Sequence, residues 1–262
     1  MNMRLLGFTL LAVLIVGGLI AGTFAHSIER VLTPPQAYGA SQNIPIAKNS
    51  TPMTMTVTPT TTATPMPTGV LAQDAFQRTN QPLWGIASDG RAWEGDANSQ
   101  NTFSITDMMG QIANGQGTFN ALLGPASSNA EVVMQGSINH YHGDTVNLGI
   151  VLRWTNGNNW YKILIDGTSF IVLKRVNGTS TPLAIIPFNA LGGRFYTLRF
   201  RAVGATLFAK AWRSSFTEPD RWMVVVNDTS LTSGQAGIRV LMQNDTVVHI
   251  ASFLETAASS GM

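Results

Sequence analysis

Residues 153–167, RWTNGNNWYKILIDG, set two tryptophans and a tyrosine around an Asn/Gly turn, with basic side chains on either side. Aromatic rings beside hydrogen-bonding cations suit a sugar, whose apolar C–H faces stack on the ring while its hydroxyls or carboxylates accept hydrogen bonds. The same arrangement also describes a well-packed hairpin. A second set, His140, His142 and Asp144 in NHYHGD, alternates as metal ligands on a strand would. Gly143-Asp144 reads instead as a hairpin tip, and no convincing third or fourth ligand stands out elsewhere, so the metal reading is set aside. Calcium is held by backbone carbonyls and a few carboxylates, which leave little trace in a sequence. It stays open and unassigned, and no other cofactor is expected.

Hydrolysis of a glycosidic bond needs two carboxyl groups on the order of 5–10 Å apart. Here Glu94, Asp96, Asp107, Glu131, Asp144, Asp166, Glu218, Asp220, Asp228 and Asp245 are scattered, mostly at expected turns, where Asp serves the backbone. No nucleophile elbow or phosphate-binding loop is present, and Gly115-Gln116-Gly117 reads as a turn. The absence of cysteine excludes disulfides, thiolate metal sites and cysteine nucleophiles. A formal charge of +2 without a polybasic run argues against nucleic acid as a partner. The Asn-x-Thr sequons at Asn177, Asn227 and Asn244 mark surface turns.

The chain divides by texture. Residues 5–25 form an uncharged apolar run. About 20 such residues span a bilayer, whereas the apolar part of a signal peptide is about 7–15. Residues 1–30 are therefore read as a membrane anchor, or as a signal peptide cleaved after the Thr-Phe-Ala ending, with the N-terminus inside and the C-terminal domain outside the cell. The Thr/Pro-rich residues 31–71 read as an extended linker. Residues 72–257 change to short alternating segments punctuated by Gly, Asn and Asp, followed by a tail at 258–262. Candidate strands include EVVMQGSIN, VNLGIVLRW, WYKILIDG, SFIVLKRV, FYTLRFRAV, TLFAKAW, WMVVVN, AGIRVLM and VVHIASFLE. Asn156–Asn159, Asp166-Gly167 and Asn177-Gly178 supply hairpin turns. The expected fold is all-β, an antiparallel sandwich or jelly roll, preceded by the apolar helix and the linker.

Four segments, DAFQRTNQPLWGIASDGRAW, LGIVLRWTNGNNWYKILID, YTLRFRAVGATLFAKAW and TEPDRW, resemble sandwich domains of the concanavalin A-like lectin/glucanase superfamily. Within it they are similar to the DxFxRT…WGxA…GxxW modules of bacterial surface proteins, related to laminin-G-like and keto-disaccharide-hydrolase-type sandwiches. The resemblance spans nearly all of residues 72–256 and implies a fold that hosts lectins, glycosidases and spacers alike. Glucanases of this superfamily carry an ExDxxE carboxylate cluster, and this chain has none.

The two-residue period of a strand assigns faces. Tyr196, Leu198, Phe200 and Ala202 share one side against Arg199 and Arg201, and Leu207, Ala209 and Ala211 share one against Phe208, Lys210 and Trp212. In the opening stretch Trp154 follows Ile150 and Leu152 inward with Arg153 opposite, while Trp160 and Lys162 oppose Tyr161, Ile163 and Ile165. If these strands lie in one sheet, Arg153, Trp160, Lys162, Arg199, Arg201, Phe208, Lys210 and Trp212 make a single outer face for a glycan or polysaccharide, with Trp160 exposed and Trp154 buried. Structural packing by Arg and Lys stems over aromatics explains the same pattern. Trp84, Trp93 and Trp222 are expected to pack the ends and core. The reading is a surface module, tethered to the membrane through its N-terminal helix, that binds carbohydrate or a surface protein without catalysis. A glycosidase-like enzyme and a structural spacer or sensor ectodomain are the alternatives.

Overall fold

The computed structural model describes residues 69–259. The expected anchor, nearly all of the linker and the end of the tail lie outside the described residues. Among the described residues no helix is long and apolar enough to cross a membrane.

The strands are, in chain order, β1 (Val70–Asp74), β2 (Gln81–Pro82), β3 (Glu94–Gly95), β4 (Phe103–Thr106), β5 (Met109–Ile112), β6 (Gly117–Ser127), β7 (Ala130–Ile138) and β8 (Leu148–Asn156). They continue with β9 (Asn159–Ile165), β10 (Ser169–Val176), β11 (Thr179–Pro187), β12 (Phe195–Val203), β13 (Thr206–Arg213), β14 (Val224–Asn227), β15 (Gly234–Met242) and β16 (Val248–Ala257). They make two antiparallel sheets. One has nine strands in the order β14-β13-β12-β7-β16-β5-β4-β2, with β1 also on β16; the other has seven in the order β11-β10-β9-β8-β15-β6-β3.

Alternation builds the core. Val132, Met134, Leu198, Phe200, Leu207, Ala209 and Phe253 from the nine-stranded sheet belong to the same buried cluster as Leu148, Ile150, Tyr161, Ile163, Phe170, Ile238 and Val240 from the seven-stranded one. The expected inward sets in β12 and β13 are observed. The β10–β11 turn is as the sequence reads: Asn177 and Gly178 both take positive φ, at 50° and 82°, between the paired Val176 and Thr179. Strand β11 escaped the candidate set because of Pro182 and Pro187; it is an edge strand, where missing N–H donors cost no ladder bond.

The segment that resembles DxFxRT…WGxA…GxxW is a packing device. Trp84 and Trp93 are buried as expected, edge to face with ring centroids 4.8 Å apart, beside Phe76 and Phe103. Asp74, itself buried, accepts hydrogen bonds from Trp93 Nε1 (2.7 Å), the Phe76 amide (2.8 Å) and both terminal nitrogens of Arg78 (2.8 and 3.0 Å). Arg78 also reaches the carbonyl of Trp84 at 2.7 Å.

Candidate functional site

The single outer face expected from the sequence does not form. Arg153, Trp160 and Lys162 belong to the seven-stranded sheet, whereas Arg199, Arg201, Phe208, Lys210 and Trp212 belong to the nine-stranded one. Local parity orders side chains within a strand and cannot say which sheet the strand joins.

A second correction concerns the opening stretch. Leu152 faces the core and Arg153 takes φ 51°, a left-handed conformation uncommon for a side chain of this size. Against β15, Gly237 pairs with Val151 but Gln235 pairs with Trp154, so β8 holds one extra residue between them. Such a bulge moves everything after it to the other side. Trp154 therefore lies on the outer side with Gln235, half-buried, rather than in the core. Arg153 is buried at the end of the sandwich. Its guanidinium donates to the carbonyls of Ser128 (3.1 and 2.7 Å), Leu231 (2.7 Å) and Gly204 (2.6 Å), and lies 5.9 Å from the Tyr161 ring centre. Those carbonyls come from loops of both sheets, which makes Arg153 a clamp and not part of an outer face.

Trp160 does oppose Tyr161, Ile163 and Ile165, yet it is only 3% exposed. The half-buried Trp154 ring lies parallel to it at 6.5 Å, with 6° between their planes, and Arg239 places its guanidinium carbon 4.9 Å from the Trp160 ring centre and 5.4 Å from that of Trp154. Arg239 donates to Asn120 Oδ1, and the Asn120 backbone and side chain both donate to Asp96 Oδ2. Burial and the neighbouring Arg175 lower the Arg239 guanidinium to about 10, with Asp96 acting in the other direction.

Lys162 sits on the same side, paired with Val151 and Leu173. It is buried, and its Nζ donates to Asn147 Oδ1 at 2.6 Å. Gly149 makes room for it, since a β-carbon there would come within 2.5 Å of Lys162 Cε. Burial first, then the charge of Arg239, holds the ammonium well below its ordinary range. Among the described residues no carboxylate lies within ion-pair distance of Lys162, Arg175 or Arg239.

The outer face of the nine-stranded sheet is electrically closed by contrast. Arg199 pairs with Glu131 (2.5 Å) and Glu218 (2.6 Å), and Lys210 pairs with Glu218 (2.6 Å) and donates to the Pro219 carbonyl (2.7 Å). Burial alone would lower Arg199 and raise Glu218, but these mutual hydrogen bonds prevail, so Arg199 is raised and Glu218 lowered. Arg201 donates to the Ser259 carbonyl and lies 5.7 Å from the Phe208 ring. Trp222 is not in the core: it is half-buried here, 5.5 Å from Phe208 and 4.9 Å from Lys210 Nζ, while Trp212 lies 5.9 Å from the same ammonium.

The sequence reading passed over Arg239, Asn120 and Asn147. Arg239 was within reach, because in AGIRVLM it alternates against Ile238 and Val240. Comparison with protein families and with curated proteins finds no match. Among solved structures, xylan beta-1,4-xylosidase from Bacillus halodurans C-125 superposes with a TM-score of 0.55 at 10% identity, over 76% of this chain and 41% of that one. The Bacteroides ovatus xyloglucan PUL GH43B protein gives 0.53 at 12% identity, over 74% and 40%. The fold is an antiparallel β-sandwich of two sheets. At these identities the likeness is one of fold alone, and this chain spans about two-fifths of the length of these two proteins.

Proposed function

We propose that the protein is a membrane-tethered, extracytoplasmic module whose sandwich binds carbohydrate without cleaving it, through the outer face of the seven-stranded sheet. The observation that carries this reading is Trp154, half-buried and parallel to the buried Trp160 ring, beside Arg239: aromatic surface next to a guanidinium that has no carboxylate within ion-pair distance among the described residues. Sugar C–H faces stack on such a ring, and the guanidinium of Arg239 suits hydroxyls and, better, the carboxylates of acidic sugars. Sharing a fold with parts of glycan-acting proteins supports a glycan-related role. The tether rests on the uncharged apolar run at residues 5–25 and the Thr/Pro-rich segment after it. The self-neutralised cluster around Glu218 is assigned to packing.

A glycan array probed with the full-length chain in mild detergent tests the reading. Acidic glycans are expected to bind and to weaken with salt. Trp154→Ala should cost about 1–3 kcal/mol of binding, on the scale of base–aromatic stacking, with folding intact. Binding indifferent to Trp154→Ala and Arg239→Ala would remove the site. Turnover of a bound glycan that is abolished by Glu94→Gln or Asp96→Asn would replace the binding module with an enzyme.

A further inference from the structure

The connection after β7 and the turn between β15 and β16 meet at one end of the nine-stranded sheet. His140 and His142 come from the first, and Asp245, more than a hundred residues later, comes from the second. His140 Nε2 lies 3.1 Å from Asp245 Oδ2 and His142 Nε2 lies 3.5 Å from the same oxygen. One ligand atom from each of the three residues falls within 4.8 Å of the other two. His140 Nε2 is shielded from solvent and makes no hydrogen bond, so its approach to the carboxylate is not that of a donor to an acceptor. The two imidazole rings stand edge to face at 4.6 Å.

We propose that His140, His142 and Asp245 form a binding site for a divalent transition-metal ion of the Zn2+ class. Bonds of about 2.0–2.1 Å to a tetrahedral ion put neighbouring ligand atoms about 3.3 Å apart, and the two separations from Asp245 Oδ2 straddle that spacing. The remaining edge closes by rotation of His142, whose side chain is about half exposed. Two imidazoles with a single carboxylate favour Zn2+, Ni2+ or Cu2+ over the all-oxygen preference of Ca2+ and Mg2+. Asn139 holds the loops in place: its Nδ2 donates to the Asp245 carbonyl at 3.0 Å and its Oδ1 accepts from the Val247 amide at 2.8 Å. With three protein ligands, at least one coordination position is left for water or for a donor group of a bound molecule. The third ligand missing from the sequence reading is Asp245. Asp144, which that reading placed in the cluster, is not among the three.

The test is titration calorimetry of the full-length chain, made without a histidine tag, purified in mild detergent and stripped with EDTA, using ZnCl2 and CaCl2 as probes. One equivalent of Zn2+ is expected to bind, with affinity reduced about ten-fold or more in His142→Ala and in Asp245→Asn, both at exposed positions. His249→Ala, at a histidine whose ring meets Gln111 instead of the cluster, should leave it unchanged. Asn139→Ala should weaken binding while His140, His142 and Asp245 remain, in line with the roughly 10–100-fold effects of residues that orient metal ligands. Absence of Zn2+ binding, binding that survives both ligand substitutions, or equal binding of Ca2+ would overturn the proposal.

Discussion

Glu255 lies in β16 on the side of Phe253, fully buried, and neither carboxyl oxygen has a hydrogen-bond partner among the described residues. Its space is set by Gly124, where a β-carbon would stand 2.4 Å from Oε2. Burial pushes its carboxyl up from 4.5 to about 8, against a small opposing effect of Arg91. The folded state thus holds this proton more tightly than the unfolded chain does. Its contribution to stability is complete below pH 4.5 and is lost as pH rises through about 8. At about 1.4 kcal/mol per pH unit, the loss between pH 5 and 9 is roughly 4 kcal/mol. Glu255→Gln keeps the shape and removes the titration. Urea unfolding followed by the fluorescence of the buried tryptophans, at steps from pH 5 to 9, reads the difference between the two proteins. That subtraction cancels other titrating groups, including His249, which burial lowers. Wild type should fall relative to Glu255→Gln by several kcal/mol across the range. A difference that changes by less than about 1 kcal/mol, well below the linkage value, would refute the picture of a protonated, buried carboxyl.

Two further outcomes follow from the bulge in β8. Trp160→Ala should cost about 3–5 kcal/mol, the range for truncating a buried aromatic, and more than Trp154→Ala, the reverse of the order that strict alternation gives; parallel thermal melts decide it. Arg153→Ala leaves three loop carbonyls without their charged donor and should cost about 3–5 kcal/mol, from bonds to charged groups worth about 1.5–3 kcal/mol each. Arg153→Lys should recover little of this, because an ammonium cannot span the same fork of acceptors; urea midpoints of the three proteins check it.

Alternation in β12 and β13, the Asn177-Gly178 turn and the sandwich class were legible because each is a local matter of side-chain period or backbone preference. Arg153 was not, since nothing in its residue type announces positive φ; the conformation is sustained by carbonyls at Ser128, Gly204 and Leu231, brought from three separate loops. Sheet membership failed for a related reason. The pairings of β8 with β15 and of β12 with β7 join distant segments, and no periodicity within a strand reports them. Asp245 was invisible beside His140 and His142 for the same cause. Glu255, by contrast, could have been found: continuing the inward register from Phe253 in SFLE puts a carboxyl where the core is.

The pairing of β1 with β16 also gives the sandwich two unlike ends. Val70 pairs with Thr256, and Ala257 pairs with Ala130, so the chain enters and leaves the sandwich beside the start of β7, next to the Ser128 loop held by Arg153. The histidine pair follows the far end of that same strand, beyond Ile138. Nine residues of strand at about 3.3 Å each put roughly 30 Å between them. Of the two ends of the sandwich, the one where β1 begins is clamped by Arg153, and the His140–Asp245 loops make up the opposite one.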